Sequence, residues 1–356
     1  MGLVTLRAMT QVEPREGDST ATGAAAGDWS SGDEGRAILA EAHGRMPDFF
    51  IAGHQKCGTT ALYLMLGEHP QIFMPEFKEP RYFAPELRPP LAHETPDRPQ
   101  KLERYLELFA DARPNQRAGE ASPQYLRSPN AAARIAELNP DARMIVILRE
   151  PAAFLRSFHM QMVASHEEKE KDFRTAIELE PVRRANAGGG FLAPQLLYSE
   201  HVRYAEQLRR LHASFPAEQV LVLVYEDFRR DNEATVREVQ RFLGVDDTVA
   251  LQQVETEPLN TVRSMRMHEL IRAVRRADFN PQQASALSRA LNALVPKKLR
   301  RGLLSGLYRR VAYAPPQAPD EQFMRELRSR YRAEVVALSE YLDRDFLTLW
   351  GYDASG

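Results

Sequence analysis

The segment Ile51-Ala52-Gly53-His54-Gln55-Lys56-Cys57-Gly58-Thr59-Thr60 constrains this chain most, because a short buried strand enters it and a helix leaves it. Asp48-Phe49-Phe50-Ile51-Ala52 reads as the strand, and Ala61 to Leu66 continues as a helix that His69-Pro70 ends, since a residue before proline is pushed out of the helical region. At such a junction the backbone N–H groups of Gly58, Thr59 and Thr60 have no intrahelical partner and sit at the positive end of the helix dipole. That arrangement favours an anion. An ordinary phosphate loop, G-x-x-x-x-G-K-[ST], places lysine after the second glycine. Here Thr59 follows Gly58, and Lys56 stands two residues before that glycine. A lysine there approaches a phosphate from the other side of the loop, toward the bridging oxygen of a leaving group. A plain glycine-rich turn of an α/β protein gives the same local pattern, so the loop alone leaves both readings open.

A second apolar strand, Arg143 to Leu148, runs directly into Arg149-Glu150-Pro151, with Ser157 eight residues beyond Arg149. Arg149 offers a bidentate fork for a phosphate, and the Ser157 hydroxyl lies within reach of the same group. Two phosphate sites imply a doubly phosphorylated nucleotide. Val220 to Tyr225 reads as a third buried strand after a helix from Tyr198 to Leu211, and Glu321 to Leu342 as a long helix followed by a short one ending near Trp350. The alternation predicts an α/β, P-loop-like three-layer fold, with a central parallel sheet flanked by helices and ligands at the strands' carboxyl ends.

The stretch Gly53 to Leu62 resembles the 5′-phosphosulfate loop of sulfotransferases that use 3′-phosphoadenosine 5′-phosphosulfate (PAPS), particularly the heparan sulfate O- and N-sulfotransferase branch and its bacterial relatives. Ile147-Leu148-Arg149-Glu150-Pro151 with Ser157 is similar to that family's 3′-phosphate motif. Leu223 to Phe228 with Phe242-Leu243-Gly244, and Tyr341 to Phe346 with Trp350, look like bacterial members, so the resemblance covers residues 47 to 352. It implies PAPS as donor, adenosine 3′,5′-bisphosphate as product and no metal. The implied nucleotide contacts are Lys56, Cys57, Gly58, Thr59, Thr60, Ala61, Arg149 and Ser157. Arg263 or Arg266 fall where related enzymes close a basic loop over the 3′-phosphate. Lys56 would meet the charge of the leaving phosphate.

By the same resemblance, Glu79 in Lys78-Glu79-Pro80-Arg81-Tyr82-Phe83 is the general base, and burial beside the aromatic pair is expected to raise its basicity. The plainer alternative is a solvated carboxylate paired with Lys78 or Arg81. Gly119 to Tyr125 resembles a segment in which heparan 3-O-sulfotransferases carry lysine at the place of Ala121. Arg81 and His54 are the candidates to replace that cation. Glu120 is read as an acceptor contact or an aid to the base, against the alternative of a structural partner for an arginine, and His159 as a lesser acceptor-side candidate.

The chain has 356 residues, 43% of them hydrophobic, and a formal net charge of -2. No apolar run approaches the roughly 20 residues that span a bilayer, and the beginning of the sequence lacks the apolar stretch of a signal peptide, so a cytoplasmic location is expected. Nine histidines form no metal-ligand cluster. The single cysteine, Cys57, excludes an intramolecular disulfide, and its place in the loop suggests sensitivity to thiol reagents. Residues 1 to 45 read as a disordered tail rich in Ala, Gly, Ser and Thr, and 46 to 356 as one sulfotransferase domain. Residues 263 to 310 carry twelve Lys or Arg against two acids, which fits a solvated helix face, an anionic acceptor or peripheral contact with a membrane. The expected partner is a small-molecule or glycan acceptor (carbohydrate, glycoconjugate or secondary metabolite), not nucleic acid. A P-loop kinase or NTPase remains the rival enzyme, with Asp227 its nominal magnesium ligand, and a non-catalytic sulfotransferase-like binding protein the rival outside catalysis.

Overall fold

The computed structural model describes residues 32–41, 45–88, 98–186, 192–251, 261–262, 313–314 and 318–353. The chain groups into two compact units, one of residues 1–155, 179–256 and 325–356, the other of 156–178 and 257–324.

The first unit is built on a parallel sheet of β1 (Phe49–Gly53), β2 (Ile72–Phe73), β3 (Arg117–Ala121), β4 (Arg143–Leu148) and β5 (Val220–Val224), ordered β2-β3-β1-β4-β5. Central strands of a parallel sheet are covered on both faces, so they read as unbroken apolar runs. Phe49, Phe50, Ile51 and Ala52 are fully buried, as are Met144 to Leu148. The register sets Phe50 against Glu120 on one side and against Met144 on the other. Since β1 and β4 are neighbours, the loops leaving Gly53 and Leu148 emerge at the same edge of the sheet.

Helices α1 (Gly32–Glu41), α2 (Thr59–Gly67), α3 (Leu102–Glu107) and α4 (Ala131–Leu138) precede α5 (Pro151–Ala164), which begins in the first unit and ends in the second. Helix α1 packs on α3 and α4. It therefore corrects the expectation of a disordered tail for residues 32–41, whereas 1–31 and 42–44 lie outside the described residues. Then follow α6 (Phe173–Glu178), α7 (Glu180–Ala185), α8 (Leu192–Gln195), α9 (Tyr198–His201), α10 (Tyr204–His212), α11 (Tyr225–Arg230), α12 (Asn232–Leu243), α13 (Glu321–Leu342) and α14 (Phe346–Trp350). The single helix expected from Tyr198 to Leu211 is two, broken at Val202 and Arg203.

In the second unit a short antiparallel pair joins β6 (Thr261–Val262) to β7 (Tyr313–Ala314). Arg174 lies over the Phe323 ring at 4.2 Å, and Phe173 meets the same ring edge-on. Arg263, Arg266 and the basic segment 263–310 lie outside the described residues, as do 89–97 and 187–191. Among the described residues no helix is long and apolar enough to cross a membrane.

Candidate active site

The loop after β1 turns into α2 through Gly58, whose φ of 87° is left-handed and whose missing Cβ would meet the Phe228 ring at 3.1 Å. Both facts require glycine. The turn leaves the first amides of α2 unbonded within the helix, with Thr59 buried, Thr60 exposed and Ala61 almost fully buried beneath them.

Lys56 (φ 59°) and Arg149 come together here. The Arg149 guanidinium donates to the Lys56 carbonyl at 3.1 Å and lies over the Tyr225 ring at 4.5 Å, while the Tyr204 hydroxyl donates to the Arg149 carbonyl. Burial first, then the neighbouring Arg149 charge, pulls the Lys56 ammonium down to about 8. Among the described residues neither side chain forms an ion pair, and the Arg149 Nε is buried without a hydrogen-bond partner. Two part-buried cations side by side without an ion-pair partner among the described residues favour an anion.

The turn after β4 is fixed from below. Glu150 caps α5 by accepting from the amides of Ala152 (2.9 Å) and Ala153 (2.7 Å), and Tyr352 donates its hydroxyl to the same carboxylate at 2.6 Å. Trp350 donates its indole N–H to Glu226, which also accepts from the Glu150 amide. The sequence motifs around 150, 226 and 350 are thus one hydrogen-bonded latch. Ser157 and His159 follow on α5 in the second unit. His159 is buried, its ring nitrogen at 3.1 Å from the Lys171 carbonyl and its ring against Phe173. It braces that unit and shows an acceptor no surface, which corrects its acceptor-side reading.

Glu79 receives Lys78 Nζ at 2.7 Å on one oxygen, and Arg81 at 2.8 Å and Gln124 Nε2 at 3.1 Å on the other. Burial pushes its proton affinity up, but the Lys78 and Arg81 charges together outweigh it and hold the carboxyl far below the usual carboxylate range. The expected gain in basicity is therefore reversed, because Lys78 turns inward with its side chain only 5% exposed. Neither bland solvated pairing nor an apolar carboxyl describes this group. It is an ionised carboxylate held by two cations and an amide.

His54 is buried edge-on to Phe154 and meets Gln207 at 3.3 Å. Burial, then the Arg127 charge, lowers it to about 3. It is neutral and does not supply the cation missing at Ala121. The Ala121 carbonyl accepts from the Glu79 amide, which holds the turn bearing Lys78 and Arg81 against the end of β3. Glu120 is fully buried and accepts from the hydroxyls of Tyr105 and Tyr125 at 2.7 and 2.9 Å. Burial raises it to about 7, against the pull of the Ser122, Tyr105 and Tyr125 hydroxyls. With no surface of its own, Glu120 makes no direct acceptor contact.

Cys57 is also fully buried, its thiol donating to the Gln55 carbonyl, and burial pushes the thiol well above its ordinary range. The expected reactivity is corrected: the folded protein keeps this sulfur as an unreactive thiol. Asp227, the nominal magnesium ligand of a kinase, is bonded to Arg230 and Arg344. Sequence reasoning missed Lys78, Gln124, Tyr204, Tyr225 and Tyr352 as site residues. Among them Lys78 stood beside Glu79, and Gln124 and Tyr225 lay within the segments Gly119 to Tyr125 and Leu223 to Phe228 already singled out.

The family model for the sulfotransferase domain matches residues 46–285. Over 218 residues, 56% of this chain and 22% of the relative, the sequence is 30% identical to human bifunctional heparan sulfate N-deacetylase/N-sulfotransferase 3. It is 26% identical to mouse heparan sulfate glucosamine 3-O-sulfotransferase 3A1 over 58% of this chain and 48% of that protein. The chain thus spans less than half the length of these curated relatives. Among solved structures, a sulfotransferase from Alicyclobacillus acidocaldarius superposes with a TM-score of 0.59 at 26% identity, covering 86% of this chain and 99% of that one. The strand–loop–helix with its displaced lysine, the arginine closing β4 and the family match lead to one conclusion: the chain belongs to the sulfotransferase domain family.

Proposed function

We propose that this sulfotransferase takes PAPS as donor and a hydroxyl of a carbohydrate or glycoconjugate as acceptor. The observation that carries the reading is the pair of part-buried cations, Lys56 and Arg149, which stay close enough for the Arg149 charge to lower the Lys56 ammonium and form no ion pair among the described residues. Bound there, PAPS supplies an activated sulfuryl group on a good phosphate leaving group. The loop amides from Gly58 to Ala61 and the Lys56 ammonium would hold the 5′ side, and Arg149 the 3′-phosphate. Lys56 faces the charge that grows on the leaving oxygen, where a fixed cation lowers the barrier more than it lowers the ground state. Glu79 accepts the acceptor proton. A weak base suffices for this, because the acceptor oxygen becomes acidic only as its new bond forms.

Calorimetry with adenosine 3′,5′-bisphosphate, beside magnesium-ATP, tests the donor. The bisphosphate is expected to bind without metal, and Arg149→Ala to weaken it roughly 10- to 100-fold, the loss of charged hydrogen bonds to one phosphate. Above pH 7, where phosphate ionisation is nearly complete, the change that bears on the anion is loss of the Lys56 proton. Since a charged Lys56 favours the anion, affinity is expected to be level between pH 7 and about 8 and to fall above it by less than about tenfold in all. Preference for magnesium-ATP would put the kinase reading in its place.

A further inference from the structure

The turn that presents Glu79 is strained. Glu79 (φ 64°) and Arg81 (φ 53°) both occupy the left-handed region, which costs a non-glycine residue roughly 1–3 kcal/mol and persists only where surrounding contacts impose it. Three amides of the turn are held by the end of β3 and the residues after it. The Glu79 amide donates to the Ala121 carbonyl at 3.0 Å, the Arg81 amide to the Ser122 hydroxyl at 3.0 Å and the Phe83 amide to the Tyr125 hydroxyl at 3.4 Å. Tyr82 stacks on Tyr105 with centroids 4.7 Å apart. The two tyrosines that receive the turn, Tyr105 and Tyr125, are themselves joined by one oxygen of Glu120.

We propose that Glu120 is a positioning residue for the acceptor side, the buried carboxyl that holds Tyr105 and Tyr125 under the Lys78–Phe83 turn and thereby keeps Glu79 in place. The assignment rests on the proposed role of Glu79 but concerns a different group, one that touches neither donor nor acceptor. Its neighbours are Tyr105 from α3, Ser122 and Tyr125 after β3, and Glu79 from the turn, with Lys78 and Arg81 beyond on Glu79 and Tyr82 on Tyr105.

The consequence is a pH signature with a defined sign. Glu120 holds its proton up to about 7 when the turn is closed, and up to the ordinary carboxyl range when opening admits water. The closed state therefore binds more protons between these values. Its stability is full at lower pH and is lost as pH rises toward the closed-state value.

Hydrogen exchange of the amides of residues 78–84, corrected for the intrinsic chemistry of exchange, reads this opening in the full-length protein. In the wild type the opening equilibrium is expected to rise by up to about tenfold per pH unit between about pH 5 and 7 and to level off above. Glu120→Gln, which keeps an acceptor for both tyrosines but cannot ionise, should be flat, and Glu120→Asp should restore a slope. If Glu120→Gln does not fold, Tyr125→Phe decides: without one hydroxyl favouring the anion, the levelling should move to higher pH. A slope retained in Glu120→Gln, or a wild type without one, overturns the proposal. Bisphosphate calorimetry on the same samples separates the two readings, because a wild type that shows the slope but binds no bisphosphate sinks the donor assignment alone.

Discussion

Lys56→Ala is expected to lower turnover by about 10²- to 10³-fold while changing bisphosphate affinity by less than about tenfold, the magnitude associated with removing one preorganised group at a developing charge. The split follows from geometry. On the proposed reading Arg149 and the amides at the start of α2 remain to bind a nucleotide, whereas neither His54 nor Lys78 replaces the Lys56 ammonium: His54 is neutral, and Lys78 is bonded to Glu79. The assay is initial-rate transfer from PAPS to desulfated heparan beside calorimetry with the bisphosphate. Equal losses in both would make Lys56 a plain binding residue. Glu79→Gln is the companion variant, expected to lose turnover by about 10²-fold or more with bisphosphate binding intact; unchanged turnover would remove Glu79 from the base role.

The second large effect concerns packing. A Cβ at Gly119 would stand 2.1 Å from the tip of the Phe49 ring and 2.6 Å from the Met74 sulfur. Phe49 is fully buried in the central strand, so its ring cannot swing aside without disturbing neighbours packed at interior density. Gly119→Ala is expected to cost about 3 kcal/mol, the upper end for overpacking, and to lower the thermal midpoint by roughly 5–10 °C. Gly67→Ala is the control, since its added methyl would meet Met74 at an ordinary 3.7 Å near the end of α2. Equal midpoints for the two variants would show that β3 and β1 do not approach as closely as described.

The same glycine explains why part of the fold was hidden in the sequence. Strand β4 and helix α13 were legible residue for residue, because an unbroken apolar run and a long amphipathic stretch announce them. Strand β3, Arg117-Ala118-Gly119-Glu120-Ala121, has no such run. Its burial comes from a notch filled by Phe49 and Met74, and from a carboxyl satisfied by tyrosines distant in sequence. At the site, Lys56 and Arg149 were legible because each closes a recognisable strand. The sign of the Glu79 shift was not, since it depends on Lys78 folding inward, which adjacency alone does not say. His54 and Cys57 failed for one reason: a loop residue was taken as accessible, and both side chains point into the interior.

The latch of Tyr352 on Glu150 and Trp350 on Glu226 has a bearing on how the chain is made. Glu150 precedes its hydroxyl partner by 202 positions, so a ribosome has synthesised both ends of the nucleotide cradle long before the residues that brace it exist. Until then the carboxylate that caps α5 lacks one of its donors. The emerging polypeptide thus passes through a stage in which every strand of the sheet has been made while the turn bearing Arg149 still lacks the donors from Trp350 and Tyr352.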